Sequence, residues 1–322
     1  MRAILLLIAF PIYTWSQDIS LTQFPSLTIP ASSRGWGMGN TGIAGAIENQ
    51  SLGYNMARAA FTQHFHQISL HYMPWLPGVT SDTKFVHAGY LGSVGDNSAF
   101  GLAVNFLHMG TIALRDDNGA TLGLYKAKEY NIGTAYALQL GAGGSLGATL
   151  RFLGQSLPGV ATKNMYSLSG DLGYYQSVQL GDASHILSWG ATVSNLGANI
   201  HLPTTAGIGL AYTQRNEGNG QFSFILDATR LIQDDWKGLR IGAGAEYAFD
   251  EMFFLRGGVN LENRAKGNRK YFSLGAGYKC FVSDQSLVID LYHLVPFDLD
   301  GIVSPFQNSF GLTLSFNIGN FQ

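Results

Sequence analysis

Few side chains in this chain could do chemistry, and they are poorly spaced for it. The candidate bases, nucleophiles and soft ligands are eight histidines and one cysteine, Cys280. His64 and His66 lie two apart, so on a β-strand they share a face and could offer two imidazoles to a metal ion. A protein metal site needs a third ligand, and neither a cysteine nor a carboxylate cluster joins them. His108 and His293 stand alone. A hydrolase would need a nucleophile, a base and an orienting group on neighbouring elements, which the histidines do not supply. The residues therefore predict no catalytic centre, no metal and no cofactor, with His64 and His66 as interfacial side chains. With 19 basic and 21 acidic residues scattered along the chain and no basic patch, there is no footprint for nucleic acid.

The densest glycine run, Arg34-Gly35-Trp36-Gly37-Met38-Gly39-Asn40-Thr41-Gly42, has the composition of a phosphate-cradling loop without its context. No strand precedes it and no Gly-Lys-Ser/Thr follows. Glycines such as Gly37 and Gly39 free the backbone for tight, positive-φ bends. Placed before the first strand, the run predicts a segment folded into a barrel mouth or lumen as a plug.

The elements that would hold such a plug are strands. From Asn308 to Ile318 the chain alternates, with Phe310, Leu312, Leu314, Phe316 and Ile318 on one face and Gly311, Thr313, Ser315 and Asn317 on the other. Similar segments recur near residues 66–73, 84–92, 98–108, 129–140, 144–154, 167–179, 186–195, 204–212, 221–230, 240–249, 253–260, 270–279 and 286–294, which makes about fourteen with 308–318. Connections alternate strictly between short (93–97, 141–143, 180–185, 213–220, 250–252, 281–285) and long (74–83, 109–128, 155–166, 196–203, 231–239, 261–269, 295–307). Apolar-out, small-polar-in strands with turns at one rim and loops at the other predict an all-β, transmembrane antiparallel β-barrel in outer-membrane lipid, with loops extracellular and termini periplasmic. Arg2 and the apolar Ala3–Tyr13, followed by Thr14-Trp15-Ser16, read as a secretory signal peptide over 1–16. A plug over 17–65 and a barrel over 66–322 complete the division.

Charges within strands obey the same alternation. Arg151, Asp227, Glu246, Arg256 and Asp290 fall opposite the bulky apolar residues, which predicts that they face the lumen. A three-residue loop at 250–252 sets Phe249 opposite Phe253, Tyr247 opposite Leu255 and Glu246 opposite Arg256, so the last two should pair. A two-residue loop would instead turn Arg256 toward lipid, at a cost of about 2 to 4 kcal/mol near the midplane. Trp75, Tyr125 and Trp236 fall in long loops, where aromatic rings suit protein partners. Trp75, beside a strand end, fits an interfacial girdle equally well.

Tyr72-Met73-Pro74-Trp75-Leu76, then Asp82, Phe106-Leu107-His108-Met109-Gly110-Thr111-Ile112, Asp117-Asn118-Gly119, Leu122-Gly123-Leu124-Tyr125 and Glu129-Tyr130 resemble the first loops of the PorV family, outer-membrane barrels of the type IX secretion system of Bacteroidetes. Ser33-Arg34 with Gly37-Met38-Gly39, and Ser194-Asn195-Leu196-Gly197 with Leu202-Pro203-Thr204, resemble further family stretches over roughly residues 24–212. Departures are Asn55-Met56-Ala57, where the family's plug has Asn-Pro-Ala, and Ala127-Lys128 before Glu129, where it has a proline. The related PorQ-like branch shares the plug pattern, while the Gly-Met-Gly and Met-Pro-Trp elements favour PorV. The resemblance implies a FadL-like barrel with a plug containing Arg34, Gly37, Gly39 and Asn55. It implies carriage rather than catalysis: binding the C-terminal signal domain of cargo, collecting it from the translocon barrel (Sov/SprA-like) and delivering it to the attachment complex of a PorU-like sortase. Trp75, Asp82, Asp117, Tyr125 and Trp236 are the candidate partner-binding loop residues. The alternative is a transporter of small hydrophobic molecules, which a continuous apolar lumen would favour.

Overall fold

The structure, a computed structural model, describes residues 23–46, 52–116, 118–141, 143–157, 163–181, 184–197, 202–216, 220–232, 238–263, 269–283, 285–297 and 304–320. The expected leader, residues 1–16, lies outside the described residues. So do Asp117 and Trp236. No helix among the described residues is long and apolar enough to cross a membrane.

Fourteen strands close into one antiparallel barrel: β1 (His64–Pro74), β2 (Thr83–Ser93), β3 (Ser98–Arg115), β4 (Thr121–Gly141), β5 (Gly144–Leu157), β6 (Lys163–Gln179), β7 (His185–Gly197), β8 (Thr205–Arg215), β9 (Gln221–Leu231), β10 (Leu239–Phe249), β11 (Phe253–Glu262), β12 (Tyr271–Val282), β13 (Gln285–Pro296) and β14 (Phe310–Asn320). Each pairs with its sequence neighbours, and β1 pairs with β14 from His64↔Asn320 to Tyr72↔Leu312, which leaves no free sheet edge around the barrel. β1 begins at His64, two residues before the expected boundary.

Side chains alternate as period two requires. On β1, Ile68, Leu70 and Tyr72 are exposed on the outer wall while Gln67, Ser69 and His71 are buried within. Aromatic rings gather at both rims. At the short turns Tyr247 meets Phe249 at 4.5 Å and Phe253 meets Tyr278 at 4.9 Å; at the opposite end Phe152 stacks on Tyr166 at 5.9 Å.

Two features differ from the expected pattern. The expected loop over 109–128 is instead a β-hairpin: β3 runs on to Arg115 and β4 starts at Thr121. Asp116 Oδ1 accepts the backbone N–H groups of Asn118 and Ala120, and Gly119 takes φ +83°, so local turn chemistry closes the tip. Gly110, at φ +87°, sits in a bulge that shifts the register between His108 and Thr111. The lumen, expected to be lined by small polar residues, also contains a packed apolar core. Trp36 of the plug stacks on Tyr292 at 5.7 Å and packs with Tyr271, Met73, Phe85 and Phe306. Inward positions next to a plug meet protein rather than water, so large apolar side chains are stable there.

The plug comprises a 3₁₀ turn at Pro25–Thr28, a short helix α1 (Ser33–Gly37) and a 3₁₀ turn at Met56–Phe61. It lies against the wall backbone to backbone, which the wall's inward glycines permit. A methyl on Gly244 or Gly258 would overlap the plug backbone at Met38–Gly39, and one on Gly37 would stand 3.0 Å from Gly275 Cα. Gly257 faces outward with open space around it. Gly244→Ala should therefore destabilise the barrel by about 1 to 3 kcal/mol, the usual range for overpacking, while Gly257→Ala stays within a few tenths of wild type. Denaturant unfolding in detergent micelles, followed by tryptophan fluorescence, reads the difference.

Candidate functional site

The plug is tied to the wall by a chain of buried charges. Ser32 caps α1, its Oγ accepting the Gly35 N–H at 3.0 Å, and this sets Arg34 against β10. Arg34 Nε and Nη2 donate to the two carboxylate oxygens of Glu246, each at 2.8 Å, the bidentate geometry that suits a guanidinium. Glu246 lies directly opposite Arg256 across the β10–β11 pair, and Arg256 Nε donates to Glu246 Oε2 at 2.5 Å. Arg256 then reaches across β12 and donates through Nη1 to Asp290 Oδ1 on β13 at 2.5 Å. The connecting hairpin holds Phe249 opposite Phe253, with Asp250 and Glu251 both at positive φ.

Other plug contacts satisfy backbone groups that would otherwise be stranded in the lumen. Asp227 accepts the N–H groups of Gly42 and Ile43 at 2.6 and 2.9 Å. Gly39, at φ +74°, donates its N–H to Ser273 Oγ, and that hydroxyl donates to Gly37 O. Asn55 caps the second 3₁₀ turn and donates through Nδ2 to Ile43 O and Tyr174 O, which fastens plug to β6. Glu129 accepts the Ser26 N–H at 2.9 Å. Arg151 pairs with Asp171 and donates to Leu52 O of the plug.

A polar ladder completes the seam on β1 to β4. His71 and His87 are directly opposed and buried; His71 Nδ1 lies 2.8 Å from Thr313 Oγ1, and His87 Nδ1 lies 2.7 Å from Asn105 Oδ1. Asn105 donates to Asn131, which donates to Ser26 of the plug. These histidines were not among the candidates drawn from the sequence, although their inward phase on β1 and β2 was the available signal. His66 instead faces outward, 2.8 Å from the Tyr90 hydroxyl.

Chambers flank the plug. One of about 720 Å³ opens among the short turns, lined by Gln67, Gln139, Gln221, Ser188 and Phe61, with Ala44 and Gly45 of the plug as its roof. One of about 120 Å³ lies beyond Ile43, lined by Asp227, Arg240, Glu262 and Arg269. The plug segment at residues 43–45, held by Asp227, stands between them.

At the long-loop rim the described candidates, Trp75, Asp82 and Tyr125, each make a local contact. Trp75 is half-buried, edge-on to Phe306 at 5.7 Å, and so caps the lumen core rather than joining a lipid-facing girdle. Asp82 accepts the Thr80 hydroxyl at 2.6 Å and the Thr111 N–H at 2.7 Å, joining the β1–β2 loop to the base of the β3–β4 hairpin. The Thr80 hydroxyl, and then the Thr111 amide, hold its carboxyl below the usual aspartate range. The Tyr125 hydroxyl bonds Ser156 Oγ of β5. The most exposed apolar side chains here are Leu122 (72%), Leu124 (74%) and Val79 (67%), none of them a candidate from the sequence. Leu122 and Leu124 continue the outward phase of β4, and that phase was the signal.

A family model described as Type IX secretion system protein PorV matches residues 14–237. A comparison with curated proteins found no match. Among solved structures, the toluene transporter TbuX of Ralstonia pickettii is similar at 12% identity and TM-score 0.53, over 90% of this chain and 98% of its own. The toluene transporter TodX of Pseudomonas putida is similar at 11% identity and TM-score 0.57, over 88% of this chain and 95% of its own. At such identities the likeness is one of fold, that of the FadL-like barrels.

Breaking a buried ion pair by removing one partner costs about 3 to 5 kcal/mol because a charge is left uncompensated. Glu246→Ala removes the carboxylate that Arg34 and Arg256 share, whereas Arg34→Ala leaves Glu246 paired with Arg256. Glu246→Ala should therefore destabilise more than Arg34→Ala, measured by unfolding midpoints in micelles. At the rim, a depressed aspartate pKa means that the Asp82 tether stabilises the loop above the unfolded-state value and is lost only as pH falls through the lower folded value. At neutral pH, Asp82→Ala should speed hydrogen exchange at the Thr111 amide and leave the global midpoint unchanged.

Proposed function

Since this chain belongs to the PorV family of type IX secretion system proteins, we propose that it works as a carrier at the membrane surface rather than as a conduit through it. In this reading the barrel binds the C-terminal signal domain of exported cargo, takes it from the Sov/SprA-like translocon barrel and passes it to the attachment complex containing the PorU-like sortase. The observation that carries the reading is the plug across the lumen. Arg34, pinned to Glu246, and the plug backbone, pinned to Asp227, stand where a permeant would have to pass. A transporter of small hydrophobic molecules needs a continuous apolar path, and the smaller chamber is lined by Asp227, Arg240, Glu262 and Arg269.

An integral outer-membrane barrel that carries cargo must recognise it on a rim. The long-loop rim projects the β3–β4 hairpin with Leu122 and Leu124 exposed, and apolar side chains held out on a paired ribbon suit a protein partner. In outer-membrane barrels the short turns are periplasmic and the long connections extracellular, so this rim lies outside.

Deletion of the gene should leave cargo bearing the C-terminal signal in the periplasm while other outer-membrane proteins remain normal. Undisturbed surface delivery of that cargo, in a strain without a second copy of the family, would reject the shuttle role. Orientation is tested separately on a Cys280→Ser background with an impermeant maleimide. Asn118→Cys, at the hairpin tip, should label in intact cells, and Asp96→Cys, in a short turn, should label only after the outer membrane is opened.

A further inference from the structure

We propose that the outer wall of β2, β3 and β4 at the long-loop rim binds the phosphate-bearing headgroup of a membrane lipid through Lys84, Lys126 and Lys128. Register brings these residues together. Lys84 lies opposite His108, and His108 lies opposite Lys128, so the three form one row across adjacent strands. Lys126, paired with Thr111 above the bulge, is the next outward position on β4. Across two strand spacings Lys84 and Lys128 are only about 10 Å apart.

All three lysines are exposed on the outer wall. Inside the lumen the opposite holds: Arg34, Arg151 and Arg256 are each paired with a carboxylate. Among the described residues, no ion pair engages Lys84, Lys126 or Lys128. Asp82, two residues before Lys84, already accepts from Thr80 and Thr111, and Glu129 points inward to Ser26. Like charges clustered on one sheet face repel, so the cluster is stable in the presence of a counter-anion.

A second observation gives the depth. Two residues below the lysine row, the outward row is Val86, Phe106 and Tyr130, with Phe152 and Tyr166 beside it. Aromatic girdles mark the boundary between acyl chains and headgroups, so ammonium groups about 7 Å further along the strands stand at the level of lipid phosphates. The long aliphatic stems of lysine let the charges adjust to that level. The row faces sideways, away from the barrel axis, where the neighbour is lipid. A free anion or an acidic peptide would match the charge but would leave the aromatic row below without a role.

The site stands on register and burial; the leaflet it touches rests on the orientation proposed above, which maleimide labelling decides independently. The test uses the full-length barrel in nanodiscs of phosphatidylcholine doped with fluorescent lipid A, its dephosphorylated form, or no lipid A with inorganic phosphate added. Wild type should bind phosphorylated lipid A with an affinity that falls as salt rises. The triple variant K84Q/K126Q/K128Q should lose on the order of 100-fold, and K84R/K126R/K128R should retain binding. Heat-modifiable migration on gels verifies that each variant is folded; these outward rim positions make no lumen contact. Equal affinity of wild type and the glutamine variant overturns the proposal. So does equal binding of the dephosphorylated lipid, and so does displacement of lipid A by an equal concentration of inorganic phosphate, which would make this a free-anion site.

Discussion

The ionic chain from Arg34 through Glu246 and Arg256 to Asp290 is the constraint on which the rest of this barrel depends. It joins the plug helix to β10, β11 and β13, so lumen and wall cannot be assembled independently. Four buried charges are tolerable only because each meets an opposite charge at hydrogen-bonding distance. The same requirement favours a single arrangement. A plug shifted by one residue would take Arg34 out of bidentate reach of the Glu246 carboxylate.

Around that chain the wall is shaped to receive backbone rather than side chains. Gly244, Gly258 and Gly275 let Gly37-Met38-Gly39 lie against the strands, and Gly147 and Gly173 do the same for Asn55-Met56-Ala57. Close backbone approach then leaves N–H and C=O groups facing each other, and Asp227 and Ser273 of the wall accept from plug N–H groups while Asn55 of the plug donates to the Tyr174 carbonyl of β6. Inward glycine thus weakens each strand slightly as a strand and strengthens the barrel as a container. With the lumen plugged in this way, the rim is the surface left to a partner, and there β3 and β4 go on pairing past their last pairs with β2 and β5.

The outer wall is organised by depth. An apolar band meets acyl chains and aromatic rows mark its edges. Beyond the row of Val86, Phe106 and Tyr130, the exposed Lys84, Lys126 and Lys128 give way to the exposed Leu122 and Leu124. The three zones follow one another along a single face of β4, because alternate residues of a strand sample successive depths on the same side.

That period-two alternation is also what made the fold legible from residues alone. It carried the all-β class, the count of fourteen strands and the inward phase of Arg151, Asp227, Glu246, Arg256 and Asp290, since burial of one face and exposure of the other are written locally in each strand. The opposition of Glu246 and Arg256 is equally local, because a three-residue loop and two charges on one face leave a single register. Contacts between residues far apart in the chain had no such trace. That Arg34 would meet Glu246, that Trp36 would stack on Tyr292, and that Trp75 would turn inward onto Phe306 depend on where the plug lies inside the closed barrel. The hairpin over 109–128 escaped for a related reason: the bulge at Gly110 breaks the alternation and makes a continuing strand read as a loop. Local periodicity determined which way each side chain points; only closure of the barrel around its plug decided what each one meets, because the partners are brought together by packing rather than by sequence.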